Sequence, residues 1–165
     1  MTRRALLRSV FAVAAPVGSD LHEAARRIFE RINELRTLRL APPMRWSEAL
    51  AECARQQSER KRTLRFPGHE DPERGGIAER LNAAQIGWAK CAENLFSVRG
   101  WDDPVNFAVV FWWYSAGHQA NILDPVFTQT GVGVTEGADG TYFVTQIFVE
   151  AEDAGRNPRY GPRVK

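Results

Sequence analysis

Two imidazoles and a carboxylate, His69, His118 and Glu93, are the side chains of this sequence best suited to chemistry. His118 follows Gly117 at the end of an aromatic run, Phe111-Trp112-Trp113-Tyr114, which reads as a buried helix whose end delivers His118 to a cleft. His69 follows a loop, Phe66-Pro67-Gly68, and Glu93 lies in an extended stretch, Cys91-Ala92-Glu93-Asn94-Leu95. Imidazole and carboxylate suit zinc or another divalent metal, three protein ligands plus water being a usual catalytic zinc set. The same groups equally serve acid–base work near neutral pH, and a lone histidine equally reads as a structural one. Ser115 falls near the same cleft, but no Gly-x-Ser-x-Gly elbow surrounds it, so a serine hydrolase is unsupported. The His-Glu-x-x-His helix of zinc proteases is absent as well.

The elements that must position these groups follow from periodicity and punctuation. Asp20 opens a helix with Glu23 three residues later, as in a capping box. Leu21, Ala24, Ala25, Ile28, Ile32 and Leu35 fall on one face, leaving His22 on the exposed side, until Ala41-Pro42-Pro43 stops it. Ser47 caps a second helix with Trp46 packing behind it; Leu50, Ala51, Ala54 and Gln57 set its inner face. Asp71-Pro72 is expected to start a short third helix with Ile77, Leu81 and Ala84 buried and Gly87 as its stop, while Glu73 and Glu79 read as surface charges. Asp103-Pro104 starts the aromatic helix, in which Trp112-Trp113 reads as core. Residues 131–136 and 141–149, joined by Gly137-Ala138-Asp139-Gly140, alternate as a β-hairpin does. A hairpin is marginal alone, so the helices must cover it, giving an α+β domain.

Composition narrows the function classes. A chain of 165 residues with 44% hydrophobic and 25% charged content is one globular domain. The net charge of +2 argues neither for nor against a polyanionic partner, but the lack of a basic stripe with interleaved aromatics argues against nucleic acid. Cys53 and Cys91 allow one disulfide at most or two buried thiols, and are expected to lie near each other. Residues 1–19 read either as an export signal, with Arg3-Arg4 resembling a twin-arginine motif and Ala12-Val13-Ala14 as a cleavage site, or as an ordinary basic tail. The domain itself is expected over 20–150, and 151–165 as a loose basic tail; no run is long and apolar enough to span a bilayer.

Four segments in order, Gly68-His69, Ala92-Glu93-Asn94-Leu95, Gly117-His118-Gln119-Ala120-Asn121-Ile122-Leu123 and Phe127 to Gly133, resemble the CAP superfamily of cysteine-rich secretory, antigen 5 and pathogenesis-related 1 proteins, also called SCP domains. Order and spacing, including the 24 positions between His69 and Glu93, are closest to its small bacterial branch and hold from about Leu21 to Phe148. The resemblance implies a three-layer α-β-α sandwich with a small central antiparallel sheet. It implies a central cleft formed by His69, Glu93 and His118, braced by Asn94 and Asn121 and bordered by Ser115, with His69, His118 and Glu93 as metal ligands. Asn33 and Arg36, in a first-helix Asn-x-x-Arg, are implied to be structural. A second carboxylate, supplied in many members by Trp-Tyr-x-Glu, is missing here: Ser115 or Ala116 stands in its place, unless Glu70 or Asp71 compensates. The expectation is a secreted or envelope-associated domain, extracellular or periplasmic, that binds a divalent metal or a small or lipid ligand without catalysis. A metal-dependent hydrolase or protease, and a protein-interaction module with a vestigial cleft, stand as alternatives.

Overall fold

The computed structural model describes residues 17–101 and 103–151; the expectations for the two tails fall largely outside them. The elements run α1 (Val17–Leu38), β1 (Arg45–Trp46), α2 (Glu48–Leu64), α3 (Ile77–Ala83), β2 (Lys90–Arg99), α4 (Pro104–Tyr114), α5 (Ala116–Leu123), β3 (Gln129–Glu136) and β4 (Thr141–Glu150). The four strands form one sheet in the order β1-β3-β4-β2. β3 and β4 make the expected hairpin, β2 pairs antiparallel to β4, and the two-residue β1 joins β3 in parallel. α2 and α3 cover one face of the sheet, and α1, α4 and α5 cover the other. This is the α-β-α sandwich, and it explains why β3 and β4 are buried along almost their whole length rather than on alternate residues.

Glycines 131 and 133 make the α2 layer possible. They sit two apart on β3, so both face α2. A Cβ at Gly131 would lie 2.1 Å from the Ala51 nitrogen, and one at Gly133 would lie 2.1 Å from the Arg55 nitrogen. The helix backbone therefore rests directly on the strand, and Ser58 Oγ reaches through to donate to the Gly133 carbonyl at 3.0 Å. On the opposite face Ile28, Ile32, Val109, Trp112, Ile122 and Phe148 make the larger core.

The Asn-x-x-Arg segment of α1 is structural, as expected. Asn33 exchanges two 2.9 Å hydrogen bonds with the Met44 backbone. Arg36 is fully buried and donates to the carbonyls of Pro42, Ile122, Asp124 and Phe127 at 2.6–3.2 Å. One guanidinium thus satisfies chain ends that have no helical partners and ties α1 to the turn after α5.

Four local expectations change. α1 begins at Val17, so Asp20 stands in its first turn instead of capping it. Asp71 does not start a helix: it bridges Gly75, its carboxylate accepts from the Glu73 and Arg74 N–H groups, and α3 begins only after Gly76 and ends before Gly87, leaving Ala84 exposed. β2 spans ten residues where a few extended ones were expected. The aromatic helix stops at Tyr114, because Ser115 adopts an extended conformation (φ −101°, ψ 118°), and a new helix carries His118 in its first turn rather than at an end. Ser47 caps α2 as predicted, accepting from Leu50 N, and Asp103, at the expected start of the aromatic helix, caps α4 by accepting from Asn106 N. Cys53 and Cys91 are both free thiols, packed in the same apolar cluster beneath α2.

Candidate functional site

β2 lies at the edge of the sheet, and its side chains alternate between the two helical layers. Glu93 points toward α2 and α3, whereas the next residue, Asn94, points toward α5. The candidate site is therefore assembled around the free edge of this strand, from side chains belonging to both layers.

Glu93 is the centre of the α3 side. Its Oε1 lies 2.9 Å from His69 Nδ1 and its Oε2 accepts from Arg80 Nη2 at 2.8 Å. The Glu93 and Arg80 side chains are each 1% exposed, and Arg80 Nε also donates to the Gly76 carbonyl. His69 is half exposed; its backbone carbonyl accepts from Gln57, and Lys61 Nζ holds its loop by donating to the carbonyls of Phe66 and Gly68.

The α5 side is held by amides. Asn94 donates to the His118 carbonyl at 3.2 Å, and Asn121 donates to Asn94 Oδ1 at 2.9 Å, which is the bracing role expected of them. His118 Nδ1 is 2.8 Å from Ser115 Oγ, and its ring lies 5.7 Å from that of Phe111. Burial, and then repulsion from His69, hold the His118 imidazole below its ordinary range, so it is neutral at neutral pH. Both histidines line the same groove. Both Nδ1 atoms are thus committed, and neither Nε2 makes a hydrogen bond to the described residues.

The histidines border an open groove of about 580 Å³. Its walls are Phe66, Phe96, Phe111 and Phe143, and Lys61, Arg65, Ser97 and Thr141 bring polar atoms to it. Phe96 and Phe111 meet with ring centroids 5.1 Å apart.

The structure therefore brings His69, Glu93, His118, Asn94 and Ser115 together, but it does not make a metal cage of the first three. Glu93 spends one oxygen on His69 and the other on Arg80, whose charge already neutralises it. Among the described residues no three His, Cys, Asp or Glu side chains are grouped to hold an ion. Asp71 does not supply the missing carboxylate, because Arg60 clamps both of its oxygens at 2.7 and 2.8 Å, and Glu70 is exposed. Arg80 was missed in the sequence, although a signal existed: it lies three residues after Ile77 and next to Leu81, a charge on the apolar face of a short helix. The groove phenylalanines carried no comparable signal, being scattered over four segments.

Comparison with known proteins decides the family. The sequence model of CAP, the cysteine-rich secretory protein family, matches residues 29–148. This chain belongs to that family. Among relatives of the CAP domain, the YkwD protein of Bacillus subtilis is 28% identical over 123 residues, covering 74% of this chain and 46% of its own length. An extracellular SCP-domain protein from Bacillus anthracis superposes with a TM-score of 0.70 at 26% identity, over 82% of this chain and 45% of the other. An outer surface protein of Borrelia burgdorferi, 16% identical, shares the fold with a TM-score of 0.71 over 79% of this chain and 94% of its own. This chain thus spans less than half the length of the two Bacillus proteins. Among the described residues no helix is long and apolar enough to cross a membrane.

Proposed function

We propose that this CAP domain is a binding module, secreted or held at the cell envelope, whose groove at the β2 edge takes a small ligand without transforming it. One observation carries the reading: both imidazoles are oriented through Nδ1, by Glu93 and by Ser115, and so leave Nε2 available beside a wall of phenylalanines. Two fixed polar atoms beside an apolar surface are what orient a small molecule in a pocket. The case against catalysis rests on Glu93, whose side chain is sealed from solvent and has each oxygen already held, one by His69 and one by Arg80. The Ser115–His118 pair has no carboxylate behind it among the described residues, so it orients the imidazole and does not complete a triad. Export is supported by the extracellular and outer-surface proteins among the relatives.

A metal reading is favoured only by the two open Nε2 atoms. Two neutral ligands with no carboxylate make a weak site for a divalent ion. The deciding experiment is calorimetric titration of the protein with zinc and with small amphiphilic probes, repeated on His118→Ala and Phe111→Ala. Probe binding in the micromolar range that Phe111→Ala weakens supports the groove. Zinc binding tighter than probe binding, lost in His118→Ala, favours the metal. Ester or peptide hydrolysis abolished by His118→Ala overturns the non-catalytic reading.

A further inference from the structure

The chemistry of the groove restricts what it can hold. Among the described residues no aspartate or glutamate lines it. Two acids near it are matched: Glu93 lies against Arg80, and Asp139 is 3.1 Å from Arg65. Lys61 differs from both of those cations. Its ammonium donates to two neutral carbonyls, at 3.0 and 2.7 Å, and makes no ion pair with the described residues. It also stands 4.5 Å from the Phe66 ring centroid, in a partly desolvated position beside low-dielectric walls. The count of charges is then simple. Among the described residues two cation–carboxylate pairs cancel, neither imidazole adds negative charge, and Lys61 gives the groove an uncompensated positive charge.

The apolar part is equally specific in kind. Phe96 contacts Phe111 on one side and stacks with Phe107 at 6.2 Å on the other, while Phe111 leans on the His118 ring. Phe111 is 48% exposed, a large ring left in water beside an open groove. Ring edges and faces arranged this way receive a flat aromatic body better than a flexible chain, which would lose more conformational freedom on binding.

We infer that the groove takes a small aromatic anion, with its acid group toward Lys61 and its ring system against Phe96 and Phe111. This rests on the reading of the groove as the binding site and adds the class of its ligand. An uncompensated charge in a partly desolvated groove favours the anion over its neutral counterpart by about tenfold or more. It disfavours a divalent cation by the same sign.

A matched pair of dyes tests it: 1-anilinonaphthalene-8-sulfonate, an aromatic anion, and N-phenyl-1-naphthylamine, the same ring system without the sulfonate. Fluorescence titration at low salt is expected to show the sulfonate dye binding about tenfold tighter. Raising the salt to about 0.5 M weakens only that dye. Lys61→Gln removes most of the difference, Lys61→Arg keeps it, and Phe111→Ala weakens both dyes. Equal affinities in the parent protein overturn the anion preference even if Lys61→Gln proves unstable. An unchanged ratio in a folded Lys61→Gln overturns it also, while leaving the groove as the binding site. If Phe111→Ala alters neither dye, the groove is not where they bind, and the reading beneath this one fails with it.

Discussion

Arg80 Nη2 lies 2.8 Å from Glu93 Oε2, and both side chains are sealed from solvent. A buried ion pair contributes little net stability over apolar residues of the same shape, but removing one partner strands a charge. Glu93→Gln and Arg80→Ala are each expected to destabilise the fold by roughly 3 kcal/mol in urea denaturation. Arg80→Met combined with Glu93→Gln should cost less than the sum of the two single changes. Additive losses would mean that the pair is not coupled in solution.

Gly133 tests the seating of α2 on β3. A Cβ there would lie 2.1 Å from the Arg55 nitrogen, and helix backbone cannot yield as a side-chain end would. Gly133→Ala should therefore cost roughly 4 kcal/mol or more, or prevent folding. At Gly140, which has φ +72° and open space around it, alanine meets only the backbone penalty of about 1 kcal/mol. A thermal melt of both variants separates the two causes, and equal melting temperatures would contradict the close approach.

How far the sequence reached follows from the range of each interaction. The α1 stripe, the Ser47 cap, the helix start at Asp103 and the β-hairpin are local patterns, and they were legible because their partners lie within a few residues. The contact of His69 with Glu93 is not local, and only the family resemblance brought the two together. Ser115 broke the aromatic helix against its propensity, because the chain must turn there to place His118 across from the β2 edge. Arg80 was hidden for a related reason. An arginine on a short helix is usually solvated, and its burial depends on a carboxylate 13 residues away on another element. β1 could not have been read at all, since two residues carry no periodicity.

Asp71 gives a pH dependence with a definite sign. Arg60, and then the Glu73 and Arg74 N–H groups, hold its buried carboxyl well below the usual carboxylate range. The unfolded chain therefore takes up this proton first as the solution is acidified. The stability that Asp71 supplies is complete above about pH 4 and is lost as pH falls toward the folded value. Asp71→Asn should lower the melting temperature at pH 7 by roughly 5–10 °C and flatten its fall below pH 4. A parent and variant with parallel profiles in acid would remove Asp71 as the cause.

The cysteines should remain thiols. Burial, with Glu79 and Glu93 nearby, pushes the Cys91 thiol up to about 11, and burial raises Cys53 as well. Thiolate is the reactive form, so both should react slowly with a disulfide reagent in the folded protein at pH 8. Denaturation should release two reactive thiols per chain. Fewer than two would mean that a bridge had formed between these neighbours in the apolar cluster.

His118 offers the most direct check of the site's geometry. Its imidazole is partly buried against Phe111, and His69 stands beside it. Both conditions penalise the imidazolium, burial more than the neighbour. As pH falls through the ordinary histidine range near 6.5, the unfolded chain protonates first. The neutral ring thus supports the fold fully above that range and progressively less below it. Nitrogen-detected NMR titration should place the His118 midpoint below the ordinary histidine range near 6.5. In His69→Gln the midpoint should move up but stay depressed, because burial remains. In Phe111→Ala it should rise further, since the larger cause is then relieved. A His118 midpoint at or above the ordinary range would show that its ring does not pack as described. A midpoint indifferent to His69→Gln would separate the two imidazoles, and with them the groove that they border.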